Sequence, residues 1–249
     1  MKQFVRIALM TACLAALLPG CAALEDGTLE GILDSVGNPG RLDNGTVVAG
    51  LKEALKVGTE RTVTVTSARD GYLGNALIRI ALPTQFDSVA SKMRDFGFGS
   101  YVDELETGMN RAAELAAAEA TDVFWNAITS MTLADGFAIL QGPDTAATEY
   151  FRGRTSAELQ SRFGPIVQSS MNEVGVARLY DQALDMYHRI PLVEKPEFVD
   201  LEQYVTDRAL TGLFTVLGQE EQKIRRDPVA RTTDLLKRVF GSPQAAGSE

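Results

Sequence analysis

The sequence predicts an all-α protein: a single multi-helix domain over 44–241, interrupted by one short extended segment near 76–82. Three observations predict it. From about Asn44 onward, apolar residues recur at spacings of three and four, the stripe that an amphipathic helix turns toward a core. Helix-start signals of the form Ser/Thr-x-x-Asp/Glu recur at Thr84/Asp87, Ser100/Asp103, Thr132/Asp135 and Thr155/Glu158, where hydroxyl and acid each satisfy an orphan amide. The composition, 45% hydrophobic and 23% charged, is that of a globular chain. About 200 residues of it suffice to bury a core.

Taken in order, Val48, Leu51 and Leu55 mark the first helix. The alternating "RTVTVTSA" at 61–68 continues their stripe and is read as helix despite its β-branched residues. "DGYLGNALIRIALP" at 70–83 opens with turn chemistry and then alternates Ile78, Ile80 and Leu82 before a proline, which predicts an extended segment or short strand. Leu105, Met109, Ala112, Ala116 and Ala120 lead on to Val123 and Phe124 as one long helix, its alanines permitting close approach of a neighbour. Leu159, Phe163, Ile166, Val167, Met171 and Val174 mark the next, closed by Gly175, with Gly164-Pro165 predicting a kink or a break. Asp200, with Gln203 three residues on, caps a helix lined by Leu210, Leu213, Phe214 and Leu217. Asp227-Pro228 opens the last, which carries Leu235, Leu236, Val239 and Phe240.

Ahead of the domain, Lys2 and Arg6 form a positive region and Ile7 to Leu18 an uncharged apolar run of twelve residues, broken by Pro19-Gly20. This has the shape of a secretory signal over 1–20. As a helix the run reaches only about 18 Å, against a hydrocarbon core of about 30 Å, so it is too short for a transmembrane anchor. "Leu18-Pro19-Gly20-Cys21" resembles the bacterial lipobox, which assigns Cys21 as the site of lipid attachment and 21–43 as a tether. Pro19 departs from the small or β-branched residue usual at that place. The alternative is ordinary cleavage at Gly20-Cys21-Ala22, which leaves a soluble periplasmic protein. Under lipidation, Ala22 after the cysteine favours the outer membrane, since an aspartate is the retention residue in enterobacterial lipoproteins. Residues 242–249 read as a disordered tail.

Charge and chemistry exclude several function classes. The net charge is -9, and loss of the first twenty residues, which carry only Lys2 and Arg6, takes it to -11. A chain this acidic, without a basic stripe, lacks the footprint of a nucleic-acid partner. Its two cysteines are Cys13 and Cys21, so nothing downstream supplies a thiolate for zinc, a disulfide or catalysis. The sole histidine, His188, shares a helical face with Asp181 and Asp185 but has no second nitrogen or sulfur donor to complete a metal site. No Gly-x-Ser-x-Gly elbow or phosphate-loop lysine is present. The sequence therefore assigns no catalytic, cofactor-binding or metal-binding residue. The basic residues of the C-terminal region fall into acid-before-base pairs, Glu221/Arg225, Asp227/Arg231 and Asp234/Arg238, which read as helix-stabilising rather than as a binding patch.

"GLKEALKVGTE" at 50–60, "GPDTAATEYFR" at 142–152, "YVTDRALTGLF" at 204–214 and "EEQKIRRDPVARTTDLLKRVF" at 220–240 resemble the domain of unknown function 4197 family. These are exported proteins of Gram-negative bacteria. The resemblance covers about 46–241 and implies an envelope location and a helical domain; it carries no catalytic residue. The expected function is a non-catalytic binding or scaffolding domain in the periplasm, attached to the membrane through a lipid anchor and facing an envelope protein partner. The alternatives are a helical carrier of an apolar ligand and an enzyme with a carboxylate/arginine site.

Overall fold

The threonines of "RTVTVTSA" sit in a helix. In the computed structural model, which describes residues 43–173, 175, 178–182, 185, 199–231 and 233–240, helix α1 spans Asn44–Ser67. Thr62, Thr64 and Thr66 each donate a hydroxyl hydrogen bond of 2.8 Å to the carbonyl four residues back. The side chain thereby satisfies itself within the helix, and the helical period turns Thr59, Thr62, Val63 and Thr66 inward.

Seven further α-helices follow among the described residues: α2 at Asp87–Asp95, α3 at Gly99–Ala117, α4 at Ala120–Thr129, α5 at Leu133–Gln141, α6 at Ala146–Glu173, α7 at Leu201–Arg226 and α8 at Asp234–Phe240. Short 3₁₀ turns at Thr84–Phe86 and Pro228–Ala230 precede α2 and α8. No strand occurs among the described residues, so the fold is all-α. The core is built where α3, α6 and α7 pack on one another. Ala112, Ala113, Ala116 and Ala117 of α3 are fully buried, which lets its neighbours approach its backbone closely. Phe124, Phe151 and Phe214 meet edge to face beside them, with centroids 5.2 and 6.2 Å apart.

Four expectations are corrected. The long helix through Phe124 is two, α3 and α4, because the ladder tightens where the Glu119 amide bonds Ala116 three residues back. Of the two readings of the segment near 76–82, the short strand is overturned: the chain turns at 76–78 and continues through 79–83 without regular structure, and Ile78 and Ile80 are buried. Gly164-Pro165 does not break α6, which continues through Pro165 on an exposed face, where the lost amide falls toward solvent.

The fourth concerns the start signals. Thr132/Asp135 forms the full reciprocal capping box, Asp200 caps α7 through the Gln203 amide, and Asp227 caps the 3₁₀ turn that Pro228 opens. Thr84/Asp87 and Ser100/Asp103 lie at the starts of α2 and α3, but the capping positions are Phe86 and Phe98 and make no side-chain cap. Thr155/Glu158 lies inside α6: Thr155 bonds back to the Phe151 carbonyl and Glu158 reaches Arg162. That helix starts earlier, at Ala146, because a carboxylate from elsewhere in the fold caps it.

Candidate functional site

The capping carboxylate is Glu221. It projects from α7 and accepts hydrogen bonds from the Ala147 and Thr148 amides, at 2.9 and 2.8 Å, and from the Thr148 hydroxyl at 2.7 Å. These are donors that the first turn of α6 leaves unpaired, and a negative charge is favoured there. One turn on, Arg225 bonds Glu221 at 3.0 Å and donates at 2.7 Å to the Ile139 carbonyl near the end of α5. Glu221 and Arg225 together close the α5–α6 junction from α7, with side chains only 7% and 11% exposed. Arg226 adds an ion pair to Asp144 in the same junction.

A second hub fastens the 70–82 segment. Glu114, buried in α3, accepts from the Tyr72 and Leu73 amides at 3.1 and 3.2 Å and from Arg111 at 2.6 Å, while Arg111 reaches on to Asp70. The hydrogen bonds that Arg111 donates to Glu114, then to Asp70, hold its guanidinium above its ordinary pKa. Asn110 replaces a strand: its amide oxygen accepts from the Ile80 N–H at 2.9 Å and its nitrogen donates to the Ile80 carbonyl at 2.8 Å. Tyr72 is fully buried and donates to the Ala209 carbonyl at 2.7 Å. Burial, followed by the Glu114 charge, drives its hydroxyl pKa far above the ordinary value, so it remains a donor. The ring fits because Gly212 has no Cβ; one built there would lie 2.5 Å from Tyr72 Cε1.

Chemically, two of the three buried carboxylates among the described residues, Glu114 and Glu221, are committed to backbone amides and to arginine, and the third, Glu220, pairs with Lys223 and Arg61. Two apolar clefts, one among Leu51, Leu55, Ala147, Ile224 and Phe240 and one among Phe86, Val89, Met93 and Tyr180, each measure about 20 Å³. That is room for about one water.

The sequence-assigned residues fall as follows. Cys21 and His188 lie outside the described residues, as do the leader at 1–20 and the tail at 242–249. Asp181 and Asp185 are exposed, and no group of three metal-ligating side chains occurs among the described residues. Among these residues, no single helix is long and apolar enough to cross a membrane. Of the three acid-base pairs, Glu221/Arg225 forms but is buried rather than superficial. Asp227 instead caps a turn, Arg231 donates to the last carbonyls of α7, and Asp234 pairs with Lys237. Glu114 and Asn110 went unassigned; their signal is a carboxylate and an amide inside an otherwise apolar, alanine-rich stripe.

Fold and hubs define the class, a helical domain whose buried carboxylates Glu114 and Glu221 hold its own backbone. The family model described as "Protein of unknown function (DUF4197)" matches residues 41–241, and the chain belongs to that family. No curated protein and no solved structure matches it. Three of the four stretches that carry the resemblance meet in space. Leu51, Ala54, Leu55 and Gly58 of the first, Ala147 of the second and Glu221, Ile224 and Arg225 of the last line one cleft.

Proposed function

We propose that this chain is a cell-envelope lipoprotein: a non-catalytic helical binding or scaffolding domain, tethered in the periplasm and anchored to the outer membrane through acyl chains on Cys21, with an envelope protein as its partner. The observation that carries the non-catalytic reading is the saturation of Glu114 and Glu221. An acid or base for catalysis needs an open hydrogen-bonding position facing a cleft. The oxygens of these two are taken by amides and arginines of their own domain, although Glu221 borders a cleft, and the third buried carboxylate, Glu220, is paired with Lys223 and Arg61. The carrier reading finds less support among the described residues, whose two apolar clefts of about 20 Å³ are far below the few hundred Å³ that hold an organic ligand.

The anchor rests on the ordered positive, apolar and small-residue regions that end at Cys21. Several acyl chains, at about 0.8 kcal/mol per buried methylene, give attachment that does not dissociate on a useful timescale. Cys21→Ala tests it: fatty-acid labelling is lost and the protein moves to the soluble periplasmic fraction. Unchanged membrane association in that variant overturns the anchor.

A further inference from the structure

Helix α2 buries Val89, Ala90 and Met93 against Phe86 and Val102, yet the turn that joins it to α3 leaves two phenylalanines exposed. Phe96 is 62% and Phe98 38% exposed, and Gly97 between them is exposed as well. The turn has a fixed shape. Gly97 takes a φ of 84°, its amide donates to the Arg94 carbonyl at 3.1 Å, and the Phe98 amide donates to the Met93 carbonyl at 2.7 Å. This is the paired closure by which a helix ends on a left-handed glycine. The Phe96 amide is bonded too, to the Lys92 carbonyl at 3.0 Å. The tip also stands clear of its surroundings, since a Cβ built on Gly97 meets nothing within 4 Å.

We infer that the Phe96-Gly97-Phe98 tip inserts into the headgroup boundary of a phospholipid bilayer, as a second and weaker contact beside the acyl anchor. Three features favour a lipid surface. Entry into a medium poor in water penalises every unpaired N–H, and the amides of all three tip residues are paired within the chain. The charges beside the tip balance: Lys92 and Arg94 in the last turn of α2 stand with Asp95 and with Asp103, which bonds Arg94 at 3.1 Å. Insertion therefore needs no anionic lipid and proceeds on a zwitterionic headgroup through the two aromatic rings. The third feature is proximity. The chain from Cys21 to Asp43 reaches at most about 75 Å and, in the reading above, ends in the bilayer. Within that distance a contact too weak to recruit the free domain becomes intramolecular and is populated through effective concentration. The inference rests on the anchor reading, and what the tip meets is a bilayer surface, not a carried lipid molecule.

The experiment uses the protein purified from the envelope and reconstituted on phosphatidylcholine vesicles, with a fluorescent label on Ser100→Cys beside the tip. A second label, on Ser161→Cys of α6, is the control: its neighbour Arg162 pairs with Glu119 past the far end of α3, about 30 Å along that helix from the tip. Both serines are exposed, and with Cys21 acylated the introduced cysteine is the free thiol. The expected result is that lipids carrying a nitroxide near the headgroup quench the Ser100 label and spare the Ser161 label, equally at low and high salt. Phe96→Ser/Phe98→Ser abolishes that quenching while circular dichroism stays helical, since both side chains are exposed. Quenching at Ser100 no greater than at Ser161, in protein that floats with the vesicles, overturns the insertion, leaves the anchor standing and hands the tip to a protein partner. Failure to float overturns the anchor and the inference with it. Quenching that survives the double serine variant, or that salt removes, assigns the contact to other groups and also overturns the inference.

Discussion

Replacing Glu221 with alanine removes one carboxylate and strands four donors. The Ala147 and Thr148 amides lose the acceptor that caps α6, the Thr148 hydroxyl loses its partner, and Arg225 keeps its charge with only the Ile139 and Leu140 carbonyls, at 2.7 and 3.5 Å. Loss of a helix cap alone costs about 0.5–2 kcal/mol. Removing one partner of a buried ion pair costs about 3–5 kcal/mol, chiefly through the uncompensated charge left behind. The second figure dominates, because the Arg225 side chain is only 11% exposed. We expect a loss of about 3–5 kcal/mol, a large part of a stability that for ordinary domains totals about 5–15 kcal/mol. Glu221→Gln, which keeps an acceptor oxygen and loses only the charge, falls between wild type and alanine. Urea unfolding followed by circular dichroism measures both, and the cycle with Arg225→Met isolates the coupling between the two side chains. A loss below about 1 kcal/mol for Glu221→Ala, at unchanged urea dependence, refutes the reasoning, since it equals the effect of an ordinary exposed cap.

Other changes follow from the same contacts. Asn110→Ala removes both hydrogen bonds to the Ile80 backbone and is expected to cost about 2–3 kcal/mol, with amide exchange at Ile80 accelerated well above that of α3 itself. Gly212→Ala drives a methyl toward Tyr72 and Ile78 and costs about 1–3 kcal/mol by thermal unfolding; Gly153→Ala, whose new methyl meets nothing within 4 Å, stabilises α6 by about 0.5–1 kcal/mol. Tyr72 gives a signature in alkali. Its folded pKa is raised from an ordinary value of 10.0, so its contribution is fully present below pH 10. Above that the unfolded chain releases the proton and the folded chain keeps it, so stability falls by about 1.4 kcal/mol per pH unit. Tyr72→Phe removes that alkaline slope while costing about 1 kcal/mol at neutral pH for the hydrogen bond to Ala209. A slope unchanged in the variant assigns it to other groups.

The helices were legible wherever the stripe was long. Val48 through Val63 fixed α1 even across its alternating threonines, since period outweighs β-propensity when hydroxyls find carbonyls one turn back. Local capping was legible where hydroxyl and acid sat at a chain break, as at Thr132/Asp135. It failed at Thr155/Glu158 because the helix start there is set by Glu221, 73 and 74 residues from the amides it caps. No local pattern encodes a cap supplied across that distance. Glu221/Arg225 looked like a surface pair for the same reason: spacing shows that two charges share a helix face, whereas burial depends on what packs over that face. Phe96 and Phe98 read in the sequence as two more apolar residues, and only the turn that joins α2 to α3 leaves both exposed.

The central claim, a closed helical domain on a lipid tether that works by binding rather than by carrying or catalysis, is tested most directly by native and denaturing mass spectrometry of the protein purified from the envelope. The account predicts an acyl mass that survives denaturation and maps to Cys21, with the native species otherwise bare or bound to protein. A non-covalent lipid that co-purifies with the helical domain and is released on denaturation contradicts it.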